Sequence, residues 1–231
     1  MKLLLTNDDG IDAEGLAALE AAVADLATEL WVVAPQVENS QVGHRVTTRE
    51  ALRYEQLGER RFAVDGTPAD CVRVALRHLM PEPPDWTFSG INQGGNLGRH
   101  DFVISGTIAA VREARFLGVP GVAVSHYLHS GRAVDWSAAA RRTGLALRAV
   151  LADSLGKEEF WCINLPHPPS DAPEPRLVVC DQETQALQVG FEQVSEGVLR
   201  YLGSYWDRPR HPDRDVAVCF GGDIALSRVS I

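Results

Sequence analysis

The chain opens Met1-Lys-Leu-Leu-Leu-Thr-Asn-Asp-Asp-Gly-Ile11, an apolar run that turns sharply polar at Thr6. The apolar run Leu3 to Leu5 reads as a buried strand, closed by Thr6-Asn-Asp-Asp-Gly10. Ala13 to Leu26, with Leu16, Leu19, Val23 and Leu26 at helical spacing, reads as the helix that follows. Two adjacent carboxylates, Asp8 and Asp9, therefore stand at the C-terminal tip of a first strand. In open α/β sheets that edge is where ligands bind. Paired carboxylates repel and raise each other's pKa unless a cation neutralises them. A hard divalent ion such as Mg²⁺ or Mn²⁺, which prefers carboxylate and carbonyl oxygens, is the natural counter-charge. Asn-Asp-Asp-Gly is equally good turn chemistry. On this stretch alone both readings stand.

Working outward, Glu29 to Ala34 reads as a second buried strand closed by Pro35, giving a strand–helix–strand unit with a parallel, right-handed crossover. The polar segment Gln36 to Thr48, with Ser40 and Gly43-His44, follows a strand end and is placed on the edge that holds Asp8. Ala51 to Val64 alternates weakly, as a hairpin would. Asp65 to Asp70 is a loop entering a helix, with Pro68 in its first turn. A short strand is expected at Asp85 to Phe88. Ser89 to Gly98 then holds four glycines in ten residues, and Ser105-Gly-Thr107 leads into a helix over Ile108 to Leu117. Backbone N–H groups in such a turn and at a helix N-terminus form an anion site, although simple turn glycines would read the same way. Neither a P-loop nor G-x-G-x-x-G is present. Gly121 to Ser125 and Phe160 to Leu165 read as strands around a helix, Trp136 to Leu151. After Pro169 the chain becomes Pro-rich and then alternates in short polar segments. Asp215 to Phe220 and Ile224 to Ser230 read as a final strand pair. The expected division is an α/β core over 1–169, doubly wound, and a strand-rich extension over 170–231.

Composition bounds the function. The chain has 231 residues, 45% of them hydrophobic, and a formal charge of −9. No basic stripe exists to neutralise a nucleic-acid polymer, but a mononucleotide needs only one local pocket. Apolar runs fall far short of the ~20 residues of a membrane span. Met1-Lys2 leads straight into a strand without the pattern of a signal peptide, so the cytoplasm is the expected compartment. Cys71, Cys162, Cys180 and Cys219 are scattered and read as reduced structural thiols.

Asp8, Asp9, Ser40, Asn92, Asn96 and Ser105-Gly106-Thr107 are thus expected on one edge. Carboxylates, a hydroxyl and an amide carbonyl suit Mg²⁺, Mn²⁺ or Ca²⁺; the neutral N–H and hydroxyl groups beside them suit a phosphate. The set implies metal-assisted hydrolysis, with Asp8 or Asp9 orienting a water or taking its proton. Asp-x-Asp-x-Thr and Gly-x-Ser-x-Gly are both absent, which argues against an aspartyl-phosphate intermediate and a serine triad. His44 reads as an auxiliary proton donor or as a structural loop histidine. Asp70 and Glu113 read as braces. Tyr205-Trp206 with Arg208 and Arg210 reads as a subunit contact, a base-stacking contact or an exposed loop.

Thr6 to Ile11, Ala34-Pro35 with Ser40 and Gly43-His44, Gly66 to Cys71, Ser89 to Asn92 with Gly95 to Gly98, and Ser105-Gly-Thr107 together resemble the SurE family of survival-protein nucleotidases. The motifs keep the family order over about the first 125 residues. The resemblance implies a three-layer α/β/α sandwich on a Rossmann-like, mostly parallel sheet, and a metal-dependent phosphatase for nucleoside 5′-monophosphates and 3′-monophosphates. It implies Asp8, Asp9, Ser40 and Asn92 as ligands of one divalent cation per subunit, with Asn96, Ser105, Gly106 and Thr107 holding phosphate. It also implies a homodimer or homotetramer built through a C-terminal arm, for which the stretch after Ser170 is the candidate. Gln41, Arg45 and Ile104 depart from the family pattern and bear on substrate choice and rate. A broader phosphomonoester or short-polyphosphate phosphatase and a non-catalytic nucleotide-binding regulator are the alternatives.

Overall fold

In the computed structural model, which describes residues 1–231, the first strand is the pivot of a nine-stranded sheet. Strand β1 (Lys2–Thr6) pairs in parallel with β2 (Glu29–Pro35) on one side and β5 (Trp86–Gln93) on the other. From β2 the sheet continues through β4 (Arg61–Val64) to β3 (Tyr54–Gly58), the hairpin expected between Ala51 and Val64. From β5 it continues through β6 (Gly121–His126) and β7 (Glu159–Leu165). The chain builds outward in both directions from β1, so β1 and β5 flank a topological switch point.

Side-chain alternation in β1 explains why helices cover both faces. Leu3 and Leu5 enter a core of 23 buried residues with Leu16 and Leu19 of α1 (Glu14–Val23) and Ala146 and Leu147 of α5 (Trp136–Val150). Leu4, between them, points the other way to Trp31, Val33, Phe62 and Cys71. Each fully buried leucine contributes roughly 1.5–3 kcal/mol of apolar burial. The second face carries α2 (Pro68–Val74), extended by one wide turn over Ala75–Leu79, and α4 (Gly106–Phe116). Thr67 and Asp70 close a capping box around Pro68 at the start of α2. The result is the α/β/α sandwich that was expected. No helix is long and apolar enough to cross a membrane, and all four cysteines are free.

Three elements differ from the sequence reading. Asp215–Phe220 is not a strand but a short helix, α6; Val216 and Cys219, three apart, are buried on one face, while the Asp215 carboxylate accepts the Gly98, Glu183 and Val216 N–H groups. Six apolar residues do not distinguish the two periods, and tertiary hydrogen bonds decide. The glycine-rich stretch begins as strand: β5 runs on to Gln93, and Gly90 (φ +135°) approaches Val124 so closely that a Cβ would stand 2.1 Å from its carbonyl oxygen. A helix unforeseen in the sequence, α3 (Gly98–Ile104), follows it. Beyond β7, β11 (Ile224–Ser230) adds antiparallel to β7 and receives β8 (Leu177–Val179) on its outer side. Strands β9 (Gly190–Ser195) and β10 (Val198–Leu202) form a separate hairpin.

Candidate active site

The turn after β1 resolves the two readings of Asn-Asp-Asp-Gly by dividing the labour. Asn7 makes the turn: its Nδ2 donates to the Gly10 carbonyl (2.7 Å) and its Oδ1 accepts the Gly10 N–H (3.2 Å), with Gly10 at φ +104°. Asp8 and Asp9 are left to face a cleft of about 1020 Å³. Asp8 is buried, and its Oδ1 accepts the Thr107 hydroxyl at 2.5 Å. Asp9 accepts the Gln93 N–H at 2.9 Å. Burial pushes the Asp8 carboxyl up to about 7; the Thr107 hydroxyl opposes the shift and the Asp9 charge adds to it. Asp9 is also raised, by burial first, against the Gln93 N–H and with help from Glu38.

The loop after β2 is tied to this turn, because the Asn39 N–H donates to the Asp8 carbonyl at 2.7 Å. It brings Ser40 and Glu38 to the cleft, where the Ser40 hydroxyl donates to Glu38 Oε1 (2.6 Å). Gln41 takes a positive φ of 58°, the only non-glycine residue to do so. A register shift between Ser89 and Asn92 in β5 turns Asn92 toward the same cleft; its Nδ2 donates to the Gly94 carbonyl (2.8 Å). Asn96 lines the cleft as well, with Nδ2 on Ser125 Oγ (2.8 Å) and its backbone N–H and C=O both bonded by the Asn164 amide.

Ser105, Gly106 and Thr107 stand at the junction of α3 and α4, at the start of the helix read over Ile108 to Leu117. Ser105 caps α4, its hydroxyl oxygen accepting the Ile108 N–H. A Cβ on Gly106 would stand 3.0 Å from the Cβ and Oδ2 of Asp8, so a glycine there lets the helix N-terminus close on the carboxylate. Thr107 is fully buried, and in this structure its hydroxyl is turned to Asp8. His44 does not line the cleft. Its Nε2 lies 2.7 Å from Glu113, which also accepts Arg73 Nε at 2.6 Å. Burial would raise Glu113, but His44 and Arg73 together hold it below the usual carboxylate range. Asp70 binds the N–H and hydroxyl of Thr47 and caps α2, the bracing role read from the sequence.

Sequence reasoning missed Glu38, although it lies two residues before Ser40 on the same loop. It also missed the role of Asp101, Tyr205 and Arg208. Arg208 is buried, with Nη1 on Asp101 Oδ2 (2.9 Å) and Nη2 on the Leu97 carbonyl (2.9 Å). The Tyr205 hydroxyl donates to the same Asp101 oxygen (2.6 Å) and lies 3.1 Å from the Gly95 carbonyl. The late aromatic–arginine cluster thus clamps the glycine-rich loop; the signal was a charge more than a hundred residues away from its partner.

The electrostatics of the cleft are one-sided. Asp8, Asp9, Glu14, Glu38 and Asp101 line it, and no lysine or arginine does. No cationic side chain pairs with Asp8, Asp9 or Glu38, and Asp101 is the one acid matched to a guanidinium. Unneutralised oxygen donors with an amide carbonyl and a hydroxyl beside them suit a hard divalent cation. No three His, Cys, Asp or Glu side chains converge, so a cation here would draw on hydroxyl and amide oxygens as well as the carboxylates.

Fold and cleft together define an α/β sandwich with an acidic, oxygen-lined site at the sheet's switch point. The family model "Survival protein SurE" matches residues 3–188, and the chain belongs to that family. A relative from Synechocystis sp. is 43% identical over 231 residues, covering all of both chains. The protein of Burkholderia lata named "5'-nucleotidase SurE 1" is 41% identical over 93% of this chain and 83% of its own. The solved structure of the SurE protein from Aquifex aeolicus superposes with a TM-score of 0.85 at 29% identity, covering 100% of this chain and 93% of that one.

Proposed function

We propose that this protein is a divalent-cation-dependent nucleotidase that releases phosphate from nucleoside 5′-monophosphates, and from 3′-monophosphates, by attack of water. The observation that carries the reading is the charge of the cleft: a phosphate cannot enter a wall of unpaired carboxylates unless a cation comes with it. The 5′-nucleotidase name of the Burkholderia relative supports the substrate class. Asp8, Asp9, Ser40 and Asn92 would hold one Mg²⁺ or Mn²⁺. When bound, that ion supplies charge neutralisation at a phosphoryl oxygen and acidifies a water.

The chain's own groups do the rest. Thr107 holds one oxygen of Asp8 by a hydroxyl hydrogen bond, fixing the carboxylate's orientation. Gln93 does the same for Asp9 through its backbone N–H. These carboxylates orient the attacking water and take its proton. Asn96, through the second hydrogen of its amide, and the N-terminal dipole of α4 from Ser105 to Thr107 would meet the phosphate. Phosphate release from AMP, GMP, 3′-AMP, a sugar phosphate and short polyphosphate, each with Mg²⁺, Mn²⁺ or EDTA, tests the proposal. Nucleotide-selective, metal-dependent release is expected, and full activity in excess EDTA refutes it.

The same proposal includes self-association through the β9–β10 hairpin. Phe191, Val194, Leu199 and Tyr201 are exposed there, on two strands that pair with nothing else. An isolated hairpin is marginal in water, so a second copy is its expected cover. Leu199→Asp should lower the mass measured by sedimentation; an unchanged mass removes the hairpin from the interface.

A further inference from the structure

A second groove lies beyond Tyr205, between the loops that follow β6 and β7 and the segment after Arg208. Its volume is about 460 Å³, within the ~300–1,000 Å³ of small-molecule sites. One wall is aromatic. Trp206 stacks on Phe220 (centroids 4.6 Å, planes 18° apart), and Phe220 in turn packs on Tyr127 at 4.7 Å. Trp206 is nevertheless 44% exposed at the groove, with the Arg210 guanidinium 5.2 Å from its ring centroid.

The facing wall is cationic. The acids nearby are already matched: Glu174 is held by both Nε and Nη2 of Arg142, Asp223 by Arg176, and Asp135 caps α5. Arg132 has no carboxylate partner, and one of its nitrogens bonds the His167 carbonyl. His167 itself is saturated. Its Nδ1 accepts the His129 N–H (3.0 Å), so the ring proton sits on Nε2 and points to the Ala133 carbonyl (3.1 Å). An adjoining trough shares Arg132 and His167 and contains His126, 3% exposed, whose Nδ1 is buried without a partner. A surplus guanidinium and an exposed indole line one groove of an acidic protein, and an unmet buried nitrogen lies in the trough beside it.

We infer that this groove is a second ligand site, for a nucleoside monophosphate whose base stacks on Trp206 and whose phosphate meets Arg132. Stacking on indole selects a planar ring, and a free guanidinium selects a phosphate by paired N–H donors. The site is distinct from the acidic cleft: Tyr127 lies between Trp206 (6.3 Å) and the cleft-lining Tyr205 (6.2 Å). It takes its anion by arginine and therefore needs no metal.

The test is calorimetric titration, in EDTA, with the phosphonate analogue of AMP, in which a methylene replaces the ester oxygen and prevents hydrolysis. One saturable site per chain is expected. Arg132→Ala and, separately, Trp206→Ala should each weaken it at least tenfold, while Asp9→Asn leaves it unchanged. Adenosine and inorganic phosphate should each bind at least tenfold more weakly than the analogue. Both altered side chains lie at the surface, and Arg132→Ala leaves the aromatic wall intact. No saturable binding in EDTA overturns the inference, as does binding indifferent to both variants, lost in Asp9→Asn, or matched by adenosine. Hydrolysis of AMP is read separately, so failure here does not depend on the nucleotidase reading.

Discussion

Asp8 is held in a state that costs the fold stability once its carboxyl is charged. Its carboxyl, raised by burial to about 7, binds a proton in the folded metal-free chain that the unfolded chain releases near 3.8. The folded state therefore gains stability as pH falls from about 7 toward 4, and pays for the buried charge above 7. In EDTA at pH 8, Asp8→Asn should raise the melting temperature by about 2–8 °C, a gain of roughly 1–2 kcal/mol. The same change, or Asp9→Asn, should cut phosphate release by about 10²–10³-fold. Activity within a few-fold of the parent would remove both carboxylates from the mechanism. His126 has the opposite sign. Burial, and then the nearby His167, hold it down to about 4 against 6.5. Its contribution is complete above pH 6.5 and is lost as pH falls toward 4. His126→Gln should flatten the denaturation midpoint over that window by about 1–3 kcal/mol; an unaltered slope would place the acid sensitivity elsewhere. The identities at the turn were legible from the first eleven residues because their roles are local. Glu38 and Gln93 were not, since one acts through its charge from a loop and the other through a backbone N–H that no side chain announces.

The element that sets the cleft's geometry is α4, whose first turn is pressed against Asp8. Ser105→Ala removes the α4 cap and should cost about 0.5–2 kcal/mol in urea denaturation. Gly106→Ala places a methyl 3.0 Å from Asp8 Cβ and Oδ2. It should lower kcat more than tenfold while the denaturation midpoint moves less than for Gly15→Ala, where the added Cβ would stand 2.0 Å from the Ile91 carbonyl oxygen. Equal losses in kcat for the two would mean that α4 does not position Asp8. Strands β1, β2, β6 and β7 and helices α1, α2 and α5 were legible within a few residues, because each carries its own apolar period between turn signals. α3 and α6 were not. Each is seven residues or fewer and is held by tertiary bonds to Asp101 (from Tyr205 and Arg208) and to Asp215 (from Gly98 and Glu183), which outweigh local preference.

Across the whole molecule, the late segment is bolted to the glycine-rich loop, with one buried ion pair at the centre of its contacts. Arg208→Ala leaves Asp101 buried and uncompensated, which should cost about 3–5 kcal/mol. Asp101→Asn combined with Arg208→Met should recover much of it, since the charge is then removed with its partner. A double variant no better than Arg208→Ala would show that packing, not charge, fixes the segment. Such pairing between residues 101 and 208 has no periodicity to betray it, so the sequence reading left Arg208 among surface alternatives while its neighbour Tyr205 lined the cleft.

The clamp also orders events in time. Asp8, Asp9, Ser40 and Asn92 all lie in the first hundred residues, but the loop beside Asn92 is fixed by Asn164, Tyr205, Arg208 and Asp215. A chain emerging from the ribosome thus carries its proposed ligands long before it can hold them in place. During refolding from urea, helical dichroism should return first and hydrolysis only after the last segment docks, because contacts of such sequence separation close late. The geometry of the proposed site is thus completed by late segments, although its proposed ligands are made first.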